Sequence, residues 1–193
     1  MVGERRFVGL FTSGVYDDSV RRIPLLRRKV EAVVRRAGFV PGSHDARALV
    51  HILETLPRDE LFQIGDDELF DLALGILHLQ ERQRLALFVR RDPFDRFVSC
   101  LVYVPRDRYS TALRERMKEI LVESFAGEVR AFDVSVGDSP LARAQFVIRT
   151  TPRGLPAYDV KAIEERLADA ARSWGDRLAE ALVERCGDRK SVV

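Results

Sequence analysis

Cysteine is nearly absent from this chain. Cys100 and Cys186 are the only two among 193 residues and stand far apart, without a C-x-x-C spacing. That usage argues against a disulfide-stapled secreted domain and for free thiols in a reducing compartment. Long apolar runs are missing too. No stretch approaches the roughly 18 apolar residues that cross a bilayer, and the opening segment MVGERRFVGLF lacks the apolar core and small-residue cleavage site of a secretory signal. Charge of one sign is equally scarce: 32 Lys and Arg stand against 30 Asp and Glu, a net of +2. No global field therefore draws the chain to nucleic acid or to a membrane surface. Together these absences predict a cytoplasmic protein with no nucleic-acid partner and no membrane partner.

Motifs that carry chemistry are the next absence. No Gly-x-Gly-x-x-Gly follows a strand, no phosphate loop ends in Gly-Lys-Ser or Gly-Lys-Thr, and no two histidines stand at metal spacing. His44 opens a predicted helix while His51 and His78 lie within helices, so all three read as structural. Cys100 follows Ser99 in an alternating strand, and nothing nearby in sequence would lower its pKa, so it reads as a packed thiol. No catalytic residue, cofactor-binding residue or metal ligand is assigned. Two basic clusters occur, one at Arg21, Arg22, Arg27, Arg28, Lys29, Arg35 and Arg36, the other at Arg82, Arg84, Arg90, Arg91 and Arg96. Both read as solvated faces with ion pairs, because acidic residues balance the total and no aromatic stacking pair of the RNA-binding kind accompanies them.

What is present is core-forming material, hydrophobic residues making up 46% of the chain, with a change of period along it. Arg6–Thr12 reads as a buried strand, and three amphipathic helices follow. The first runs from Pro24 to a stop at Gly38 with Leu26, Val30, Val33, Val34 and Ala37 on one face. The second carries Ala46, Leu49, Val50, Leu53 and Leu56 and ends at Pro57. The third opens on Asp66-Asp67-Glu68, suited to its positive end, with a stripe of Leu69, Phe70, Ala73, Leu74 and Leu77. From Arg84 the pattern alternates instead. Strands over 84–91 and 97–104 flank Asp92-Pro93-Phe94-Asp95, and strands over 128–136 and 141–150 flank Gly137-Asp138-Ser139-Pro140.

Between those hairpins, Leu113, Met117, Ile120, Leu121 and Phe125 mark a helix capped by Ser110 or Thr111 and closed by Gly127 in a left-handed turn. A last helix carries Val160, Ile163, Leu167, Ala170, Trp174, Leu178 and Leu182. The order strand, strand, helix, strand, strand, helix predicts an α+β fold: a four-stranded antiparallel sheet with both helices on one face, ferredoxin-like with its start shifted. The helix face should be dry and the opposite face wetter, a place for a second copy to dock. The loop entering the middle helix supplies the candidate effector or interface residues Arg106, Asp107, Tyr109 and Ser110. Free amides at a helix start can hold a small anion such as a carboxylate, although plain capping competes for them.

The strings RFVGLFTS, IPLLRRKVEAV, HILETLPRDELFQ, RQRLALFVRRDPFDRFVSCLVYVPRDRYST and QFVIRTTPRG resemble the N-terminal regulatory region of the large bacterial NAD-specific glutamate dehydrogenases. The resemblance covers nearly the whole chain up to Gly187. It implies a parent enzyme that converts L-glutamate to 2-oxoglutarate and ammonia with NAD, in a regulated homo-oligomer whose catalytic domain lies downstream. Residues 1–64 are then expected to be the C-terminal part of a second ACT-like module, 65–83 a linker helix, and 84–187 a complete third ACT-like module. The family's catalytic lysine and nucleotide-binding glycine turn have no matching positions here. The fragment itself is thus expected to hold no cofactor, NAD belonging to the parent. Its expected partners are other modules of the same polypeptide, a second copy, and an amino-acid effector. A free-standing amino-acid sensor of the ACT type is the alternative.

Residues 188–193, Asp188 to Val193, stand apart. They can be written in codons as GAT CGG AAG AGC GTC GTG, a common sequencing adapter followed in frame by the stop TAG, and are expected to be an assembly scar. Reading the source DNA should return those codons from position 188; any other set removes the adapter explanation.

Overall fold

The computed structural model describes residues 9, 12–81, 83–137, 139–151 and 154–172. Most of the expected strand over 6–12, the positions Trp174, Leu178 and Leu182, Arg82, Cys186 and the segment 188–193 lie outside them. The chain divides into two compact units between His78 and Leu79.

Among its described residues, unit 1 contains helices and no strand. A short turn of helix, α1 (Gly14–Asp17), precedes α2 (Pro24–Ala37), α3 (His44–Thr55), α4 (Arg58–Gln63) and α5 (Asp66–Glu81). Local chemistry sets the ends. Pro24 opens α2, and Gly38 closes it in the left-handed region at φ 65°. The Ser43 hydroxyl accepts from the Ala46 amide at 3.2 Å to cap α3. The helix α4 was not legible as a separate element, because Pro57 reads equally well as an end or as the residue before a new start. It is held by a cation at its C-terminal end, where Lys29 Nζ donates to the carbonyls of Leu61 and Ile64 at 3.0 and 2.6 Å. Leu26, Val30, Val33, Leu49, Ile52, Leu53, Leu61 and Leu69 are buried. In α5 the buried stripe is Leu69, Leu72, Ala73, Ile76 and Leu77, rotated from the expected one. Phe70 is instead half-buried, with the Arg36 guanidinium 4.0 Å from its ring centre.

Unit 2 has the expected α+β architecture. Strands β1 (Ala86–Arg91), β2 (Phe97–Pro105), β3 (Glu128–Ser135) and β4 (Leu141–Arg149) form one antiparallel sheet in the order β1-β2-β4-β3. Helices α6 (Thr111–Phe125) and α7 (Val160–Ala170) pack on one face. That face buries Leu87, Val98, Cys100, Val102, Val104, Ala144, Phe146 and Ile148 against Met117, Leu121, Phe125, Ile163 and Leu167. The strand order lets α6 carry the chain from β2 across β4 to β3, the split crossover of a ferredoxin-like sheet whose chain starts one hairpin later.

Two expectations are corrected. The far face of the sheet is not wet at its centre, where Arg90, Ser99, Leu101, Tyr103 and Gln145 are all buried. The reason lies in β2, FVSCLVYVP, which is apolar at both parities. Leu101 and Tyr103 project opposite to Val98, Cys100, Val102 and Val104, and Phe88 meets Tyr103 edge-on at 5.9 Å. Burial pushes the Tyr103 phenol up to about 12. The second correction concerns Gly127. The left-handed residue ending α6 is Ala126, at φ 48°, and Gly127 is needed for a different reason. A Cβ there would lie 2.4 Å from the Arg149 carbonyl oxygen and 2.7 Å from Ile148 Cγ2.

Because the obstructing atom is backbone, Gly127→Ala is expected to lower the unfolding free energy of unit 2 by about 1–3 kcal/mol, the usual cost of overpacking. Urea titration of the full chain checks this, and an unchanged midpoint would show that the approach is not close.

Candidate functional site

The loop that sequence singled out is built by β2 and α6. After Pro105 the chain makes a short 3-10 turn, Arg106–Arg108, then Tyr109, then Ser110 at the cap of α6. The Arg106 amide donates to the Pro140 carbonyl at 2.9 Å, and its guanidinium donates to the Gly137 carbonyl at 3.0 Å. Arg106 therefore ties this loop to the β3–β4 turn. The Ser110 hydroxyl accepts from the Leu113 amide at 3.1 Å, so that helix-start amide is already satisfied. Tyr109 packs against the core, and burial raises its phenol above the ordinary value against the opposing pull of Arg114. Asp107 is exposed. The structure thus brings the four residues together and gives Arg106, Tyr109 and Ser110 structural contacts.

At the other end of the sheet lies a constellation that sequence reasoning read only as a turn. Asp92 closes β1 and is 1% exposed. One carboxylate oxygen accepts from the Phe94 and Arg96 amides at 3.1 and 3.2 Å and from Arg96 Nε at 2.9 Å, while the other accepts from the Arg96 guanidinium at 2.8 Å. The Arg96 side chain, with those amides, holds the Asp92 carboxyl down at about 2 despite its burial. Asp95 adopts φ 57°, a conformation Asp tolerates. Its carbonyl accepts from the Thr150 hydroxyl at 2.9 Å, and the Arg96 carbonyl accepts from the Thr150 amide at 3.1 Å. The turn is therefore stitched to the end of β4. Asp-Pro followed by an arginine is a detectable signal for such a turn, but the tie to Thr150 depends on strand order.

Beside this turn opens a cleft of about 660 Å³ lined by Arg96, Ala126, Gly127, Glu128, Arg149, Thr150 and Thr151. Arg149 reaches Glu128 at 3.4 Å, so both guanidinium groups at the cleft are tethered by carboxylates. Such a lining can receive the carboxylate of a small molecule.

The other sequence candidates fall elsewhere. Cys100 is fully buried on the helix face of β2. His44, His51 and His78 are exposed on separate turns of unit 1. Among the described residues, no grouping of His, Cys, Asp and Glu has the geometry to hold a metal ion, and no helix is long and apolar enough to cross a membrane. In the first basic cluster, Arg22 pairs with Asp18 at 3.5 Å, Arg27 with Glu31 at 3.8 Å and Arg36 with Asp67 at 2.6 Å.

Comparison with known proteins places these units. Residues 86–175 match the family model described as the ACT2 domain of glutamate dehydrogenase, and residues 23–82 match its helical motif 1. The family numbering makes the four-stranded module ACT2 rather than a third ACT-like module. It also sets a helical motif over much of residues 1–64 rather than the end of an ACT-like module. The chain is 47% identical over 191 residues to the NAD-specific glutamate dehydrogenase of Halomonas elongata, covering 99% of this chain and 12% of that protein. It is 44% identical over 192 residues to that of Pseudomonas aeruginosa, covering 100% of this chain and 12% of the relative. The Mycobacterium tuberculosis protein of the same name is 38% identical over 192 residues, with 93% and 12% covered. The chain thus spans 12% of the length of each of these relatives.

The Asp92 turn gives a signed pH prediction. Its folded value of about 2 lies below the ordinary 3.8, so its contribution is complete above pH 4 to 5 and is lost as pH falls through 2. Discounted for the exposure of Arg96, that contribution is about 1–2 kcal/mol. Asp92→Asn should lose it at neutral pH and flatten the acid limb of a thermal-stability profile; a variant with the wild-type profile would show that the carboxylate contributes nothing.

Proposed function

Since this chain belongs to the NAD-specific glutamate dehydrogenase family, we propose that it is a non-catalytic regulatory and assembly segment of such an enzyme. The parent reaction is oxidative deamination of L-glutamate to 2-oxoglutarate and ammonia, with water consumed and NAD reduced to NADH. The observation that carries this reading is the coincidence of the ACT2 match, residues 86–175, with the compact unit that starts at Leu79 and contains the whole sheet. The residues of this unit are spent on packing, capping and tying loops, which makes it a rigid body able to transmit a bias to a distant site.

In this reading NAD is held by the catalytic part of the parent, and the partners of this segment are neighbouring modules, a second copy and an amino-acid effector, all in the cytoplasm. The cleft beside Arg96 and Arg149 is the favoured seat of the effector. Its guanidinium groups offer a carboxylate partner, and its volume of about 660 Å³ accommodates an amino acid. The Arg106–Ser110 loop serves as an interface element that keeps the β3–β4 turn in place. The domain division at 64/65 and 83/84 remains part of the proposal, with the ACT-like unit beginning after the long helix.

The purified chain is expected to leave NAD unreduced when given L-glutamate, read by NADH absorbance, and to bind one of the common L-amino acids by calorimetry. Binding should weaken about tenfold or more in Arg149→Ala, the loss of one charge-assisted contact. NADH formation would overturn the non-catalytic assignment, and a flat calorimetric trace for every amino acid would remove the effector.

A further inference from the structure

The cleft beside Arg96 has two electrical sides. On one of them Arg96 is fixed. Its Nε and Nη2 face the Asp92 carboxylate at 2.9 and 2.8 Å, and its guanidinium lies 5.1 and 5.9 Å from the ring centres of Phe94 and Phe97. Arg149 stands next to it, because the Thr150 amide donates to the Arg96 carbonyl. On the other side, Ala126 and Gly127 bring the carbonyl end of α6, the negative pole of that helix, to the cleft. Glu128 follows directly and is the one acid among the described residues that line the cleft.

Strand register decides how the two sides meet. Glu128 and Arg149 are direct partners across β3 and β4, so their side chains leave the sheet on the same face. Their contact is loose. Arg149 Nη1 stands 3.4 Å from Glu128 Oε1, beyond the roughly 2.7–2.9 Å usual for a charge-assisted bond, and the two side chains are 62% and 68% exposed. An α-amino acid can enter this pair, giving its carboxylate to Arg149 and its ammonium to Glu128. One long contact is then replaced by two charge-assisted ones, and the ammonium also meets the negative end of α6. The matching 2-oxo acid offers the same carboxylate but a carbonyl oxygen where the ammonium was. That oxygen has no proton to give, and the groups it meets are a carboxylate and helix carbonyls, all acceptors. A site built around a donor rejects the analogue that lacks it, because its own polar groups are left unpaired.

We propose that Glu128 is the residue by which this cleft distinguishes an α-amino acid from the matching 2-oxo acid. This rests on the reading of the cleft as an effector seat and assigns the group that selects the ligand. Beside a reaction that turns an amino acid into a 2-oxo acid, such a seat answers to the reactant class and ignores the product class.

Calorimetry of the full chain uses two matched series: L-glutamate, L-2-hydroxyglutarate and 2-oxoglutarate, then L-alanine, L-lactate and pyruvate. Affinity should fall in that order within a series, since a hydroxyl keeps one proton to donate but no charge, with the amino acid about tenfold or more above the oxo acid. Glu128→Gln, whose amide donates as well as accepts, should close most of that gap by weakening the amino acid and strengthening the oxo acid. Glu128→Asp keeps the charge and should preserve the order. Equal affinities for amino and oxo acid in the wild-type chain, or a gap that Glu128→Gln leaves intact, overturn the role of Glu128 while the effector reading stands. Silence from all six compounds also overturns it, and the wider screen of amino acids then decides the effector reading separately.

Discussion

The turn from α6 into β3 has room for a hydrogen atom and nothing larger. Gly127 sits against the backbone of Arg149, so the end of the middle helix, the start of the edge strand and the end of the neighbouring strand are fixed by one contact. Everything in unit 2 inherits that constraint. It places β3 beside β4, which leaves β4 between β3 and β2 and makes β2 interior. It also brings the last turn of α6 over the sheet, where Phe125 is fully buried and meets Tyr158 edge-on at 5.0 Å. Residues Ala126 and Gly127 divide the work between them: one takes the left-handed backbone, the other takes the close approach.

Burial on both sides of β2 follows from the same order. A strand with neighbours on each edge and apolar residues at both parities leaves few groups for water. That arrangement explains why the tyrosine of this strand titrates so high. Polar residues also tie the loops at the two ends of the sheet. At one end Arg106 bridges two loops; at the other Asp92 and Arg96 bridge a turn to the last strand. The module is a hard core with two laced rims.

Much of this was written in the residues. The switch from helical to alternating periods located the sheet, the turn residues set both hairpins within a few positions, and Pro24, Gly38 and Ser110 marked helix ends that the structure keeps. The family resemblance was equally plain, because strings such as LFVRRDPFDRFVSC are too long and unusual to arise from a structural pattern. What sequence could not show depends on neighbours across the fold. Gly127 looked like a helix stop because a stop and a close approach both call for glycine. The far face reads as wetter because Asp133, Ser135, Gln145 and Arg149 alternate with apolar residues; Asp133, Ser135 and Arg149 are exposed, but Gln145, beside Leu101, is buried. The cleft between Arg96 and Arg149 was invisible, since it joins residues from separate hairpins that meet only once the strand order is known.

The last helix among the described residues has two jobs that cannot be separated. α7 lays Ile163 and Leu167 into the core, and from the same surface Glu164 reaches out to occupy the amide of Leu87. A shortened polypeptide ending before Val160 would lose half its roof and its plug in one stroke, baring part of a greasy sheet and a sticky border together. Its failure would then be seen as precipitate or fibres, with no soluble partly folded species to collect.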